Sequence, residues 1–209
     1  MVWVLEGIYE ADFLGFSYGF RPKRNQHQAL DAVYVAITQK KVSWVLDADI
    51  SRFFDTLNHD WLMKFLGHRI ADKRMLALIV RTIKAGVVED DRYSKTEEGT
   101  PQGAVILPLL ANIYLHYVLD LWANRWRKHH ARGECYIVRY ADDTVFCFQY
   151  ERDGANFEMA LSERFNKFNL SLNQDKTQLI EFGRFARGNY KKKSKGKPST
   201  FDFLGFTHI

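Results

Sequence analysis

Two aspartates stand side by side in the chain, Asp142 and Asp143, within Tyr140-Ala141-Asp142-Asp143. Adjacent carboxylates repel, by about 4 kcal/mol at ~4 Å and an effective dielectric of ~20. A hard divalent cation that takes oxygen ligands, Mg²⁺ above all, relieves that repulsion. A third carboxylate, Asp49, stands at the end of the mostly apolar run Val42-Ser43-Trp44-Val45-Leu46-Asp47-Ala48-Asp49-Ile50. A charge in such a place is costly unless it is paired or metal-bound. Taken alone, the Asp142-Asp143 pair has a second reading, an acidic turn tip in water.

The elements that must position these groups decide between the readings. Cys135 to Arg139 and Thr144 to Phe148 are short runs rich in aromatic and β-branched residues, and they predict a hairpin with the two aspartates at its turn. Val42 to Ile50 predicts a strand ending at Asp49, and Gln178 to Phe182 another. Between them the spacing predicts a long helix over 108–132, with a core-like face of Leu109, Ile113, Tyr117 and Leu121, and a helix over 154–168. With the helices at 61–66 and 72–85 set aside, the order is β-α-β-β-α-β, an α+β class with the split, ferredoxin-like arrangement. That topology lays the first strand between the hairpin's second strand and the last strand. Asp49 then falls beside Asp142 and Asp143. Two divalent ions about 3.5–4 Å apart would satisfy three carboxylates, and such a pair serves in-line attack of a hydroxyl on a phosphoryl group.

The remaining residues suggest a polyanionic partner. The chain has 209 residues, 46% of them hydrophobic, with a formal net charge of +5. No run of ~18 apolar residues predicts a membrane span, and the N-terminus lacks the pattern of a signal peptide. Cys135 and Cys147 read as small buried hydrophobes of a reducing compartment. Arg184 to Lys197 contains no acid and includes Lys191, Lys192 and Lys193, which reads as an exposed basic loop. Arg21, Lys23 and Arg24 precede a helix that Asn25 caps and that runs to Gln39; they read as a solvated turn or as phosphate contacts. Arg125, Arg127, Lys128 and Arg132 suit the C-terminal end of the long helix. Gly99-Thr100-Pro101-Gln102-Gly103 marks a special backbone shape in which a ligand can approach closely, and Gln102 offers both an amide donor and an acceptor. Met1 to Phe13 predicts a short helix and Phe201 to Phe206 a closing strand. Together these features fit nucleotidyl transfer.

The chain resembles the reverse transcriptases encoded by bacterial and organellar group II introns. The resemblance rests on six stretches in the family's order: Tyr18-Gly19-Phe20-Arg21-Pro22, Asp47 to Asp55 (motif A), Gly99 to Gly103 continuing through Pro108-Leu109-Leu110-Ala111-Asn112 (motif B), Tyr140 to Asp143 (motif C), Leu172 to Thr177 (motif D), and Phe203-Leu204-Gly205-Phe206 (primer grip). It implies a polymerase palm and RNA-directed DNA polymerase activity, with RNA template, DNA primer, deoxynucleoside triphosphate and group II intron RNA as partners. Asp49, Asp142 and Asp143, with the Ile50 carbonyl, would hold two Mg²⁺ ions, for which Mn²⁺ can substitute. Phe54 would lie under the deoxyribose, Arg52 and Phe53 near the nucleotide with Phe53 closer to the core, and Gln102 on the incoming nucleotide. Lys176 would be the acid for pyrophosphate or a surface lysine. Phe203, Leu204 and Gly205 would seat the primer end.

The resemblance divides the chain into a residual fingers connection (1–41), a palm core (42–183), a basic loop (184–200) and a primer-grip strand (201–209), without complete fingers or a thumb. It implies the bacterial cytoplasm or an organelle. Ala104 and Leu107 depart from the family's usual Gly and Ser. The rival reading is a non-catalytic RNA-binding module, a maturase-like splicing cofactor; an RNA-dependent RNA polymerase is disfavoured by a bulky Phe54 at the sugar position.

Overall fold

The computed structural model describes residues 1–84, 87–89, 92–94, 106–184, 186 and 199–209. Its centre is an antiparallel sheet of four strands in the order β4 (Cys135–Tyr140), β5 (Asp143–Phe148), β1 (Trp44–Ala48), β6 (Gln178–Glu181). β1 therefore lies between the hairpin's second strand and the last strand of the palm-like unit, as the split topology requires. Its register with β5 runs from Trp44↔Phe148 to Ala48↔Thr144, so the next step along the ladder brings Asp49 level with Asp143.

Side chains alternate across a sheet, and the two faces here bury different elements. Leu46, Phe146, Phe148 and Ile137 point into the larger core. There they meet α8 (Glu151–Asn166) through Phe157, Leu161 and Phe165, together with α6 (Leu107–Leu115) and α4 (His59–Gly67). Val45, Val138, Val145, Cys147 and Ile180 face the other way. They pack on Ala29, Val33, Ala36 and Ile37 of α2 (Gln26–Gln39) and on Phe201 and Phe203. Asn25 caps α2 with a full capping box, its side chain accepting from the Gln28 N–H while Gln28 accepts from the Asn25 N–H.

Several boundaries differ from the sequence expectation for identifiable reasons. α8 starts at Glu151 rather than Gly154. Glycine weakens a helix and suggests a boundary, but here the glycine lies inside the helix, packed close against the Leu179 side chain of β6. The single long helix over 108–132 is α6, a π-helical turn at His116–Asp120, and α7 (Leu121–His129). The first helix, α1, is Val2–Tyr9 and does not reach Phe13. The final segment is not one strand but a small hairpin, β7 (Phe201–Phe203) and β8 (Phe206–His208). Leu204 and Gly205 both take positive φ, 53° and 78°, and reverse the chain between them. A short α3 (Phe53–Thr56), α5 (Lys73–Lys84) and the paired strands β2 (Val87–Glu89) and β3 (Arg92–Ser94) complete the described elements.

Candidate active site

β1 delivers Asp49 to the sheet edge because Val45, Leu46 and Ala48 are buried and anchor the strand on both faces. Beyond it the chain is clasped by the segment before β6. The Asn173 N–H donates to the Asp49 carbonyl at 2.9 Å, the Ser51 N–H to the Ser171 carbonyl at 2.9 Å, and Ile50 bridges Leu172. This clasp holds Asp49 and Ile50 against the Leu172-to-Thr177 stretch and brings Lys176 Nζ to 3.9 Å from Asp49 Oδ1. Lys176 is 68% exposed, so the pair contributes little to stability.

The hairpin turn consists of Ala141 and Asp142, since Tyr140 pairs with Asp143. Ala141 adopts φ 57°, the left-handed region, at a cost of about 1–2 kcal/mol for a residue with a side chain. Asp143 opens β5, and the Leu204 N–H donates to its Oδ2 at 3.2 Å. The β7–β8 turn thus touches the Asp143 carboxylate directly.

The electrostatics of this edge are those of crowded acids. Burial pushes the Asp143 carboxyl up to about 6 against the Leu204 hydrogen bond, and Asp142 and Asp49 add to the rise. Asp142 is raised as well, first by burial and then by Asp49, although its own backbone N–H and Arg139 oppose the rise. Sequence reasoning missed a fourth member. Asp47 lies two residues before Asp49 on the same side of β1, and burial, with Asp143, Asp49 and Asp202 nearby, pushes it up to about 7. The i, i+2 spacing of Asp47 and Asp49 was the signal available for it. A cleft of about 540 Å³ opens here, lined by Asp47, Asp49, Asp143, Lys176 and Asp202, with Leu204 and Gly205 at its edge.

The donor set suits a hard divalent cation: carboxylates alone, two of them held toward their protonated forms by burial and by one another. Among the described residues, no three His, Cys, Asp or Glu side chains are yet gathered at ligand spacing. The fold assembles these carboxylates at one edge of the sheet.

Three candidate residues have structural roles instead. Arg21 is 8% exposed, and its guanidinium donates to both Glu10 carboxylate oxygens and to the Leu14 and Ser17 carbonyls, so it faces the fold and not a phosphate. Phe53 is 2% exposed and packs edge-on to Tyr114, which removes it from any nucleotide. Phe203 is 1% exposed in the core beneath α2, leaving Leu204 and Gly205 as the residues that border the cleft. Phe54 is partly buried beside Phe53, and Arg52 is exposed. Lys23 is exposed, while Arg24 lies over the Tyr18 ring at 5.2 Å. Gln102 and Lys191, Lys192 and Lys193 lie outside the described residues.

Comparison with known proteins adds four findings. The family described as reverse transcriptase (RNA-dependent DNA polymerase) matches residues 4–208. The chain is 35% identical over 213 residues to Protein YkfC of Escherichia coli (strain K12), covering 86% of this chain and 55% of that protein. It is 42% identical over 122 residues to the group II intron-encoded protein LtrA of Lactococcus lactis subsp. cremoris, covering 56% of this chain and 20% of LtrA. The chain thus spans about half of the first relative and a fifth of the second. In fold it matches the structure of telomerase from Candida albicans with a fragment of telomeric RNA, at a TM-score of 0.70 and 14% identity over 99% of this chain and 36% of that one.

Proposed function

The chain belongs to the reverse transcriptase (RNA-dependent DNA polymerase) family, and from that premise we propose that it extends a DNA primer on an RNA template with deoxynucleoside triphosphates. The observation that carries this reading is the β1–β5 register, which brings Asp49 level with Asp143 at the sheet edge although they are far apart in sequence. Asp49, Asp142 and Asp143, with the Ile50 carbonyl, would hold two Mg²⁺ ions, or Mn²⁺ in their place. When bound, such a pair lowers the pKa of the attacking hydroxyl and stabilises the leaving pyrophosphate.

This chain's residues would do the rest. Lys176, tethered near Asp49, donates a proton to pyrophosphate. Phe54 packs beneath the sugar and excludes a 2′-hydroxyl, Arg52 and Gln102 contact the nucleotide, and the Leu204-Gly205 turn seats the primer end. Lys23, Arg24 and the lysines at 191–193 contact phosphates, with an affinity that falls steeply with salt. In this reading 42–183 is the palm core, group II intron RNA is a further partner, and the protein works in a cytoplasm or an organelle; among the described residues no helix is long and apolar enough to cross a membrane. A second reading, a maturase-like RNA-binding module without polymerase activity, is supported by the similarity to a group II intron-encoded protein.

The test is calorimetric titration with Mn²⁺ of wild type and of the Asp142→Ala, Asp143→Ala double variant, followed by single-nucleotide extension on an RNA template. Binding and extension by wild type, both lost in the double variant, are expected. Equal Mn²⁺ affinity in the two proteins would remove the two-metal reading and leave the RNA-binding one.

A further inference from the structure

Behind the aspartate turn, on the opposite face of the sheet from Asp47 and Asp49, lies a buried polar group with no counterpart in the proposed chemistry. Arg139, Asp120, Asn112 and Ser17 are all 0% exposed. The Arg139 guanidinium has five N–H donors, and each has an acceptor. Nε donates to Asp120 Oδ1 at 2.7 Å and Nη2 to Asp120 Oδ2 at 2.6 Å; Nη2 also donates to Ser17 Oγ at 2.8 Å. Nη1 donates to Asn112 Oδ1 at 2.9 Å and to the Ala141 carbonyl at 2.7 Å. That last contact falls on the left-handed residue of the turn that carries Asp142.

The rest of the group binds the N-terminal segment to the same turn. Asn112 Nδ2 donates to the Gly19 carbonyl at 2.6 Å. The Arg139 N–H donates to the Phe16 carbonyl at 2.9 Å, and the Tyr18 N–H to the Arg139 carbonyl at 2.8 Å, so residues 16–18 run along β4 as a stub of strand. Gly19 then meets the turn backbone to backbone. A Cβ there would collide with the Ala141 nitrogen and stand 3.0 Å from the Tyr140 carbonyl carbon. The helix contributes through its irregularity. Residues eight apart on a regular α-helix stand about 80° apart around the axis. The wider π turn at His116–Asp120 falls between Asn112 and Asp120, and both reach the one guanidinium.

We propose that Arg139 is a positioning residue for the metal-binding turn: it fixes the Ala141 carbonyl, and with it the direction in which Asp142 and Asp143 present their carboxylates, and Gly19 backs the turn from the other side. This rests on the two-metal reading of the site. Burying an ion pair is a poor route to stability but a good one to a single defined geometry, and a strained two-residue turn needs such a restraint. Lysine cannot replace the guanidinium, because three donors on a point charge cannot span Asp120, Ser17 and the Ala141 carbonyl together.

The experiment measures Mn²⁺ affinity by calorimetry on the whole chain, with thermal melts run in parallel. Arg139→Lys keeps the charge opposite Asp120 and is expected to lower Mn²⁺ affinity tenfold or more. Gly19→Ala leaves Arg139 intact, displaces the turn from the other side, and is expected to do the same. Ser17→Ala removes an arm of the network that does not touch the turn and is expected to change the affinity less than twofold. If Arg139→Lys does not fold, Gly19→Ala and Ser17→Ala decide the matter. Wild-type affinity in a folded Arg139→Lys or Gly19→Ala, or an equal loss in Ser17→Ala, overturns the positioning role alone. Absence of Mn²⁺ binding in wild type instead overturns the two-metal reading on which it rests.

Discussion

At one end of the sheet, two clusters of charged side chains share a single turn and occupy opposite faces. On one face Arg139 and Asp120 are fully buried, and every guanidinium donor is matched, two of them by the same carboxylate. On the other, Asp47, Asp49, Asp143 and Asp202 line a cleft in which, among the described residues, the Leu204 N–H donates to Asp143 and an exposed lysine stands near Asp49. The first cluster is complete as it stands and can only hold position. In the second, burial first and the neighbouring carboxylates after it move Asp47 and Asp143 toward protonation. The difference separates a part of the fold that serves geometry from a part that, in the proposed reading, serves a ligand, although both are built from aspartates.

The largest effect that would sharpen this contrast is expected from Asp120→Ala. It leaves the Arg139 charge buried without a partner and should cost about 3–5 kcal/mol of stability, read by chemical denaturation. Asp143→Ala, on the crowded face, should cost far less or stabilise the metal-free chain. Equal losses in the two variants would erase the distinction.

A smaller effect is expected from pH. Asp47 and Asp143 have folded-state values raised above 3.8, to about 7 and about 6. A raised folded value means that the native state binds the proton more tightly than the unfolded chain. The stabilisation is therefore full below pH ~4 and is lost as pH rises through 6 to 7, with each pKa unit worth ~1.4 kcal/mol before any discount for solvent. Metal-free protein should accordingly lose stability between pH 5 and pH 8, and Asp47→Asn should flatten that slope. A slope unchanged in Asp47→Asn would mean that the cleft acids are not crowded in solution.

The smallest effect on stability belongs to Lys176→Ala. The Lys176–Asp49 pair is exposed at 3.9 Å, so its loss should change stability by about 1 kcal/mol or less. If Lys176 is the acid for pyrophosphate, the same variant should lower kcat with little change in KM for the nucleotide. A fall in stability like that of Asp120→Ala would show that the crowded face depends on the Lys176 charge for folding.

How much of this was legible beforehand differs between elements. The aromatic and β-branched runs of Cys135 to Phe148, the Asn25 capping signal and the β-α-β-β-α-β order are patterns along the chain, and the structure contains them. Asp49 could be placed beside the hairpin turn because strand order in this topology follows from the order along the chain. Phe53 and Phe203 could not be assigned from pattern alone. An aromatic residue in a motif packs inward or faces a ligand according to which side of its element the core lies on, and here the core takes both.

By itself, then, the sequence determined which residue types could bind a cation, which strands would carry them, and the family to which the order of motifs belongs. Only the tertiary structure decided which charges are spent on the fold. Arg21 and Arg139 are both arginines beside motif residues, and nothing in their neighbours along the chain marks them as internal. Their acceptors include Glu10 after α1, Asn112 and Asp120 on the long helix, and the Ala141 carbonyl of the hairpin turn, three separate segments. The reason is physical: a guanidinium is worth burying only when nearly all its donors find partners, and those partners meet only after the helices and the sheet have packed.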